Sequence, residues 1–209
     1  PGFDNRAGAG LINAYTSIFG PAAPVAGPLL ETFDGPPGLA RYWQLEDRIG
    51  GRSLVRSDFA PASAPAQLIQ DSFFPDFDIP GTSIATLRLN LSAAPAGGWT
   101  LTFRHKEFAG EDDQPMPATF TGISNTDGVA LSVDGTTWYR LVDLTTASGL
   151  AYQTQSIDLS AFAQARSLTL GADVRIRFQR TGTNRVDATN PVLRGGRAFR
   201  MQQAVGLGI

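Results

Sequence analysis

Val129-Ala130-Leu131-Ser132-Val133-Asp134-Gly135-Thr136-Thr137-Trp138 is the stretch that decides the fold. Val129, Leu131 and Val133 alternate with Ala130 and Ser132, the two-residue period of a strand with one face turned inward. Asp134-Gly135 supplies residues suited to a tight turn, and Trp138 to Leu144 reads as the returning strand of a hairpin. The same period extends upstream: Leu87, Leu89 and Leu91 alternate with Arg88 and Asn90, and Trp99, Leu101 and Phe103 with Thr100, Thr102 and Arg104. Downstream, Val174, Ile176 and Phe178 alternate with Arg175 and Arg177. No helix of crossover length separates these runs, so the expected fold is all-β, an antiparallel β-sandwich of the jelly-roll type.

Composition agrees with half-buried strands. Of 209 residues, 42% are hydrophobic and only 17% charged, enough for one sizeable core. A formal charge of -2 with scattered arginines gives no basic field for a phosphate backbone, so no nucleic-acid partner is expected. Lys106 is the sole lysine. The absence of cysteine rules out disulfides, thiolate metal sites and a cysteine nucleophile. No run of 18 apolar residues or leader-like segment is present, so no membrane span is expected. The start at Pro1 rather than Met points to a fragment or a processed product.

The period is different at the beginning. Leu11, Ala14, Tyr15 and Ile18 recur at three- and four-residue spacing, predicting one short helix that Gly20-Pro21 ends. Pro21 to Pro28, PAAPVAGP, reads as a semi-rigid linker. The expected organisation is therefore a helical remnant over 1–20, a Pro-rich linker over 21–28 and a sandwich over 29–209.

Several residues invite a chemical reading. Gly81-Thr82-Ser83-Ile84-Ala85 has the surroundings of the subtilisin-type serine nucleophile, but Thr86-Leu87-Arg88-Leu89 continues it as an alternating strand. The chain's one histidine, His105, follows Ser83, the reverse of the order that such triads use, and shares the register of Trp99, Leu101 and Phe103. Ser83 is accordingly read as the start of a strand and His105 as a hydrogen-bonded residue near the end of a core strand. Oxygen ligands are the better metal prospect. Glu31, Asp34, Glu107 and Asp127, with the acidic loop Glu111-Asp112-Asp113, are candidate calcium ligands, since a hard cation collects several carboxylates and carbonyls from loops. Trp99 and Trp138 share strands with apolar residues and read as core, which leaves Tyr139 and Tyr152 as candidate aromatic surfaces for a sugar or protein ligand. Asn90-Leu91-Ser92 matches a glycosylation acceptor but falls within a strand pattern.

Asp4-Asn5-Arg6-Ala7-Gly8-Ala9-Gly10-Leu11-Ile12-Asn13-Ala14-Tyr15 resembles the last helix of subtilisin-like catalytic domains. From Glu31-Thr32-Phe33-Asp34 through His105-Lys106-Glu107-Phe108, Asp127 to Gly135 and Val174 to Gln179, the chain resembles the jelly-roll accessory domains of secreted bacterial proteases and surface proteins, similar in style to MAM sandwiches. In such sandwiches the last strand carries Gly-x-Ala-Phe-Asp-Asp with acids facing a cation. Here Gly196-Arg197-Ala198-Phe199 runs into Arg200-Met201, which removes those acids.

Together the resemblances imply a non-catalytic accessory or binding module, extracellular or at the cell surface, serving attachment or stabilisation. Its ligand would be a protein or carbohydrate surface, with calcium as a bound ion, and a protease domain would stand upstream in cis with its triad before residue 1. A stand-alone hydrolase would need an activated Ser83 or paired carboxylates near Glu107 and Glu111. A purely structural cell-surface spacer would need neither.

Overall fold

The alternating runs form strands of two sheets packed face to face. A computed structural model describes residues 22–33, 42–57, 66–72, 80–108, 113–145 and 151–183, and the backbone of 197–204. The predicted helix over 1–20 lies outside the described residues.

Twelve strands are described: β1 (Val25–Ala26), β2 (Trp43–Leu45), β3 (Gly51–Arg56), β4 (Gln67–Ser72), β5 (Gly81–Asn90), β6 (Thr100–Glu107), β7 (Thr119–Thr121), β8 (Gly128–Ser132), β9 (Thr137–Asp143), β10 (Gln153–Asp158), β11 (Val174–Gly182) and β12 (Arg197–Ala204). One sheet runs β1-β5-β11-β8-β9-β7, with β2 also paired to β5, and the other runs β10-β6-β12-β4-β3. The pairings are antiparallel except the short β1, which runs parallel to the end of β5 and so brings Val25 and Ala26 of the expected linker into the larger sheet. This is the jelly-roll type of sandwich that the alternation predicts.

The core lies where the two inner faces meet. Leu87, Leu89, Val129, Leu131, Val174, Ile176 and Phe178 of the seven-stranded sheet pack with Leu68, Leu101 and Phe103 of the five-stranded sheet, all of them excluded from water. Phe103 meets Phe178 edge to face, with ring centroids 5.4 Å apart. Trp43 and Trp99 belong to this core, and each indole N–H is satisfied: Trp43 donates to Glu31 at 2.8 Å and Trp99 to the Leu91 carbonyl at 3.0 Å.

The chain passes from one sheet to the other at a corner that glycine makes possible. After β2 it continues beside β5, with Arg48 N–H donating to the Thr82 carbonyl at 2.8 Å and Thr82 N–H to the Arg48 carbonyl at 2.9 Å. Ile49 and Gly50 then take φ of 50° and 80°, and Gly51 opens β3 in the other sheet. A Cβ on Gly51 would fall 2.1 Å from the Thr82 carbonyl oxygen, so only glycine fits this close approach. Asp47 reinforces the corner by accepting from the Ser53 N–H at 2.9 Å and the Ser53 hydroxyl at 2.7 Å.

After β10 a single turn and a half of helix, α1 (Leu159–Gln164), caps one end of the sandwich. Asp158 caps it by accepting from the Ala161 N–H at 2.8 Å, while Leu159 and Ala163 turn inward.

Candidate functional site on the five-stranded sheet

Alternation on β6 sends Leu101, Phe103 and His105 into the core and leaves Thr102, Arg104 and Lys106 on the outer face. Register carries the division across the sheet: Thr154 stands opposite Arg104 and Ser156 opposite Thr102 on β10, while Arg52, Leu54 and Arg56 of β3 stand opposite Asp71, Ile69 and Gln67 of β4. On this outer face Ile69, Phe108 and Tyr152 form a small cluster separate from the main core. The Lys106 ammonium lies 4.8 Å from the centroid of the Tyr152 ring and 4.9 Å from that of Phe108, and the Arg104 guanidinium carbon lies 5.5 Å from the Tyr152 ring. The Tyr152 hydroxyl donates to the Gln67 side-chain oxygen, which fixes the ring across the face.

The floor of this face is buried and its β10 side is open. Gln67, Ile69 and Asp71 are essentially excluded from water, Tyr152, Phe108 and Arg104 are half-buried, and Thr154 and Ser156 are exposed. Burial lowers the basicity of the Lys106 amine from its ordinary value. Asp71 makes a two-pronged ion pair with Arg52, so one cation of the face is held in place by a buried carboxylate. The Thr102 and Ser156 hydroxyls meet at 3.2 Å and continue the polar row beyond Arg104. The arrangement offers one aromatic face, cationic donors and hydroxyls on a single surface. It can hold a flat amphipathic ligand and assembles no nucleophile with a base.

Of the two tyrosines read as candidate aromatic surfaces, Tyr152 lies on this face and Tyr139 does not join it. Tyr139 lies on β9 in the other sheet, half-buried and opposite the core residue Leu131. Sequence reasoning missed Arg104, Lys106, Gln67 and Phe108 as neighbours of Tyr152. The alternation showed which side of β6 they occupy, but the order of strands that brings β10 beside β6 and β4 beside β12 was not legible.

The carboxylates read as calcium ligands are dispersed. Glu31 is buried and accepts from the Phe33 N–H at 2.7 Å, the Tyr42 hydroxyl at 2.9 Å and the Trp43 indole at 2.8 Å. Burial and the facing Glu31 carboxylate push the Tyr42 hydroxyl well above its ordinary value. Asp127, wholly buried, accepts from the Gln114 N–H at 2.6 Å and the Thr181 N–H at 2.8 Å. Trp43 pairs with Leu87 and Thr181 with Thr82, so Glu31 and Asp127 belong to places about five residues apart along β5, roughly 16 Å. Glu107 is on the other sheet, and Asp34 lies outside the described residues. Among the described residues no three acidic or histidine side chains gather as a metal site would require, and Glu31, Glu107 and Asp127 are not brought together around one ion.

The hydrolytic reading finds no support at Ser83. It lies within β5, is fully buried, and its hydroxyl donates to the Asp71 carbonyl at 2.8 Å while accepting from the Arg52 N–H at 2.9 Å. His105 faces the core, with its Nε2 3.2 Å from the Gln155 side-chain nitrogen and its ring 5.9 Å from that of Phe103. Trp138 is buried, as expected, but outside the main core: it packs with Met116, Ala130 and Phe120 on the outer face of the larger sheet. There Arg177 stacks on it with its guanidinium carbon 3.7 Å from the ring centroid, and burial pulls that guanidinium down to about 10.

No protein-family model and no curated protein matches the chain. Solved structures do. The first, reported as the structural basis for the promiscuous specificity of carbohydrate-binding modules from the β-sandwich superfamily, is 11% identical with a TM-score of 0.50 and covers 88% of this chain. The chain spans 64% of that structure's length. A family 11 carbohydrate-binding module from Clostridium thermocellum in complex with a β-1,3-1,4-mixed-linked tetrasaccharide is 13% identical over 86% of this chain and 95% of its own, with a TM-score of 0.45. Another, from a cellulosomal cellulase of the same organism, is 11% identical over 88% and 96%, also with a TM-score of 0.45. At such identities the likeness is one of fold.

Proposed function

We propose that this chain is a non-catalytic carbohydrate-binding module, and that sugar rings bind on the outer face of the five-stranded sheet against Tyr152. The observation that carries the reading is the fixed, half-buried Tyr152 ring, tethered to Gln67 and bordered by Arg104 and by the Thr102 and Ser156 hydroxyls. A pyranose presents an apolar C–H face to such a ring and hydroxyls at its rim, and pre-ordered side chains spare the entropy of arranging them on binding. The β-sandwich likeness to carbohydrate-binding modules is consistent with it. The resemblance of Asp4–Tyr15 to the end of subtilisin-like catalytic domains supports a finer reading: the module works outside the cell and holds an appended protease on a glycan-bearing surface.

The test is affinity electrophoresis of the full chain through gels that contain soluble polysaccharides, with Tyr152→Ala beside Tyr152→Phe. Removing the ring is expected to weaken retardation about tenfold, the effect of ~1.4 kcal/mol, while Phe keeps the ring and most of the binding. Equal retardation of the folded Ala variant and the parent on every polymer that binds would remove Tyr152, and this face, from the proposal.

A further inference from the structure

Pro21 to Pro28 has the composition of a linker, yet its described part is built into the edge of the larger sheet. Val25 pairs with Leu89 and Ala26 with Asn90, while Trp43, Gln44 and Leu45 of β2 pair with Leu87, Thr86 and Ala85. β11 takes the other side of β5 from Gly81 to Leu89. β1 and β2 therefore lie end to end along one edge of β5 and close it, where an open edge would present unpaired N–H and C=O groups.

Two paired residues alone hold a chain weakly, because fixing each backbone costs at least as much as one hydrogen bond returns. Further contacts secure the segment. Val25 and Leu29 pack against the main core. Arg88, outward on β5 between Leu87 and Leu89, donates to the two Asp173 oxygens through Nε at 2.8 Å and Nη2 at 2.7 Å, and through Nη1 to the Ala22 carbonyl. Asp173 also accepts from Arg175 at 3.0 Å. The two-pronged pair fixes the plane of the guanidinium, so its third arm meets Ala22 as a pre-oriented donor. The Arg88 side chain is 19% exposed, which limits competition from water. At the other end of the segment, the Glu31 carboxylate takes the Phe33 N–H, the Tyr42 hydroxyl and the Trp43 indole.

We infer that residues 22–33 are a rigid mount and not a tether, with Arg88 clamping the start of β1 to the edge of the larger sheet. A hinge between the sandwich and anything joined before Ala22 has no place within this segment. The direction in which the chain enters the sandwich is set by β5, and the Tyr152 face, on the other sheet, keeps one orientation to it. The inference rests on the fold and not on the carbohydrate-binding reading, so either can fail alone.

The chain has no cysteine, so Ala23→Cys with Thr119→Cys, both at exposed positions, supplies one unique pair of spin labels. β1 and β7 stand at opposite ends of the larger sheet, five strand spacings or roughly 24 Å apart. A single narrow distance distribution is expected, and one as broad as a free peptide gives would overturn the mount. Hydrogen exchange of the parent chain reads the same property without labels. The slower of the Val25 and Ala26 amides is expected to exchange at least about a hundredfold more slowly than in an unstructured peptide. Exchange of both at the free-peptide rate would overturn the mount as well. Arg88→Gln removes the charged fork and is expected to speed exchange at Val25 and Ala26 at least about tenfold, while the amides between β5 and β11 stay as in the parent. Unchanged exchange at Val25 and Ala26 in the folded variant would overturn the clamp. Should Arg88→Gln fail to fold by circular dichroism, Asp173→Asn loosens the hold on the fork and is expected to release the same two residues, with unchanged exchange again counting against the clamp.

Discussion

Asp127 shows how a carboxylate that suggests a metal from its sequence context can serve the chain itself. Its two oxygens take the N–H groups of Gln114 and Thr181, and its own N–H donates to the Gln114 carbonyl at 2.6 Å. It thereby closes the segment from Gln114 to Asp127 over the outer face of the larger sheet. Replacing Asp127 by Ala would leave two N–H groups of a buried region without an acceptor, at a cost of about 3 kcal/mol. Urea unfolding should show the same loss in excess calcium and in chelator. A loss confined to the calcium sample would instead make Asp127 a metal ligand. The acidic residues were visible in the sequence, but their partners were not, because Thr181 lies 54 residues away in the chain. Ser83 and His105 were legible for the opposite reason: strand alternation runs through both, and the structure finds both hydroxyl and ring turned to internal hydrogen bonds.

At the scale of elements, the β8–β9 hairpin was the clearest signal in the sequence, and the structure shows what holds it. Asp134 accepts from the N–H groups of Thr136 and Thr137, both at 2.7 Å, and from the Ser132 hydroxyl at 3.0 Å, while Gly135 takes φ of 76°. These bonds, the Thr137 N–H first, hold the Asp134 carboxyl well below the usual carboxylate range. A depressed folded-state value means that the contribution is complete above the unfolded value, near 4, and fades as pH falls through the lower folded one. Asp173 behaves alike, lowered first by its hydrogen bonds from Arg88 and then from Arg175. Asp134→Asn keeps an acceptor oxygen without the charge, so it should be less stable than the parent at pH 7, and the gap should close between about pH 4 and pH 2. Denaturant midpoints measured across that range test this, and a gap constant down to pH 2 would contradict it. The strands with strict alternation and a strong turn were legible. β2, β3, β4 and β12 were not: Trp43–Leu45 is too short to show a period, and in Gln67–Ser72 the two apolar residues, Leu68 and Ile69, are adjacent while the polar residues around them are buried, so no two-residue period appears.

For the whole molecule, the two sheets stand or fall together because apolar and polar contacts cross between them, and Phe178 makes one of each kind. Phe178 of the larger sheet meets Phe103 edge to face and lies 5.8 Å from Trp43, and its carbonyl accepts from the Gln70 side chain of the smaller sheet at 3.1 Å. A β-sandwich cannot keep one inner face without the other, since each alone would expose a row of leucines and valines to water. The outer face that carries Tyr152 therefore depends on the packing beneath it: β6 holds Phe103 inward with the residues that flank it, Thr102 and Arg104, outward. Phe178→Ala removes a fully buried ring where neighbours in both sheets limit collapse, a loss of about 3–5 kcal/mol. For a chain of this size that corresponds to a midpoint roughly 10 °C lower. Far-ultraviolet circular dichroism, which follows the strands, and tryptophan fluorescence, which follows Trp43 and Trp99 in the shared core, should shift by the same amount and keep coincident transitions. If the fluorescence transition moved while the strand signal stayed in place, the sheets would be melting separately, and the coupling that holds the Tyr152 face on its core would have to be abandoned.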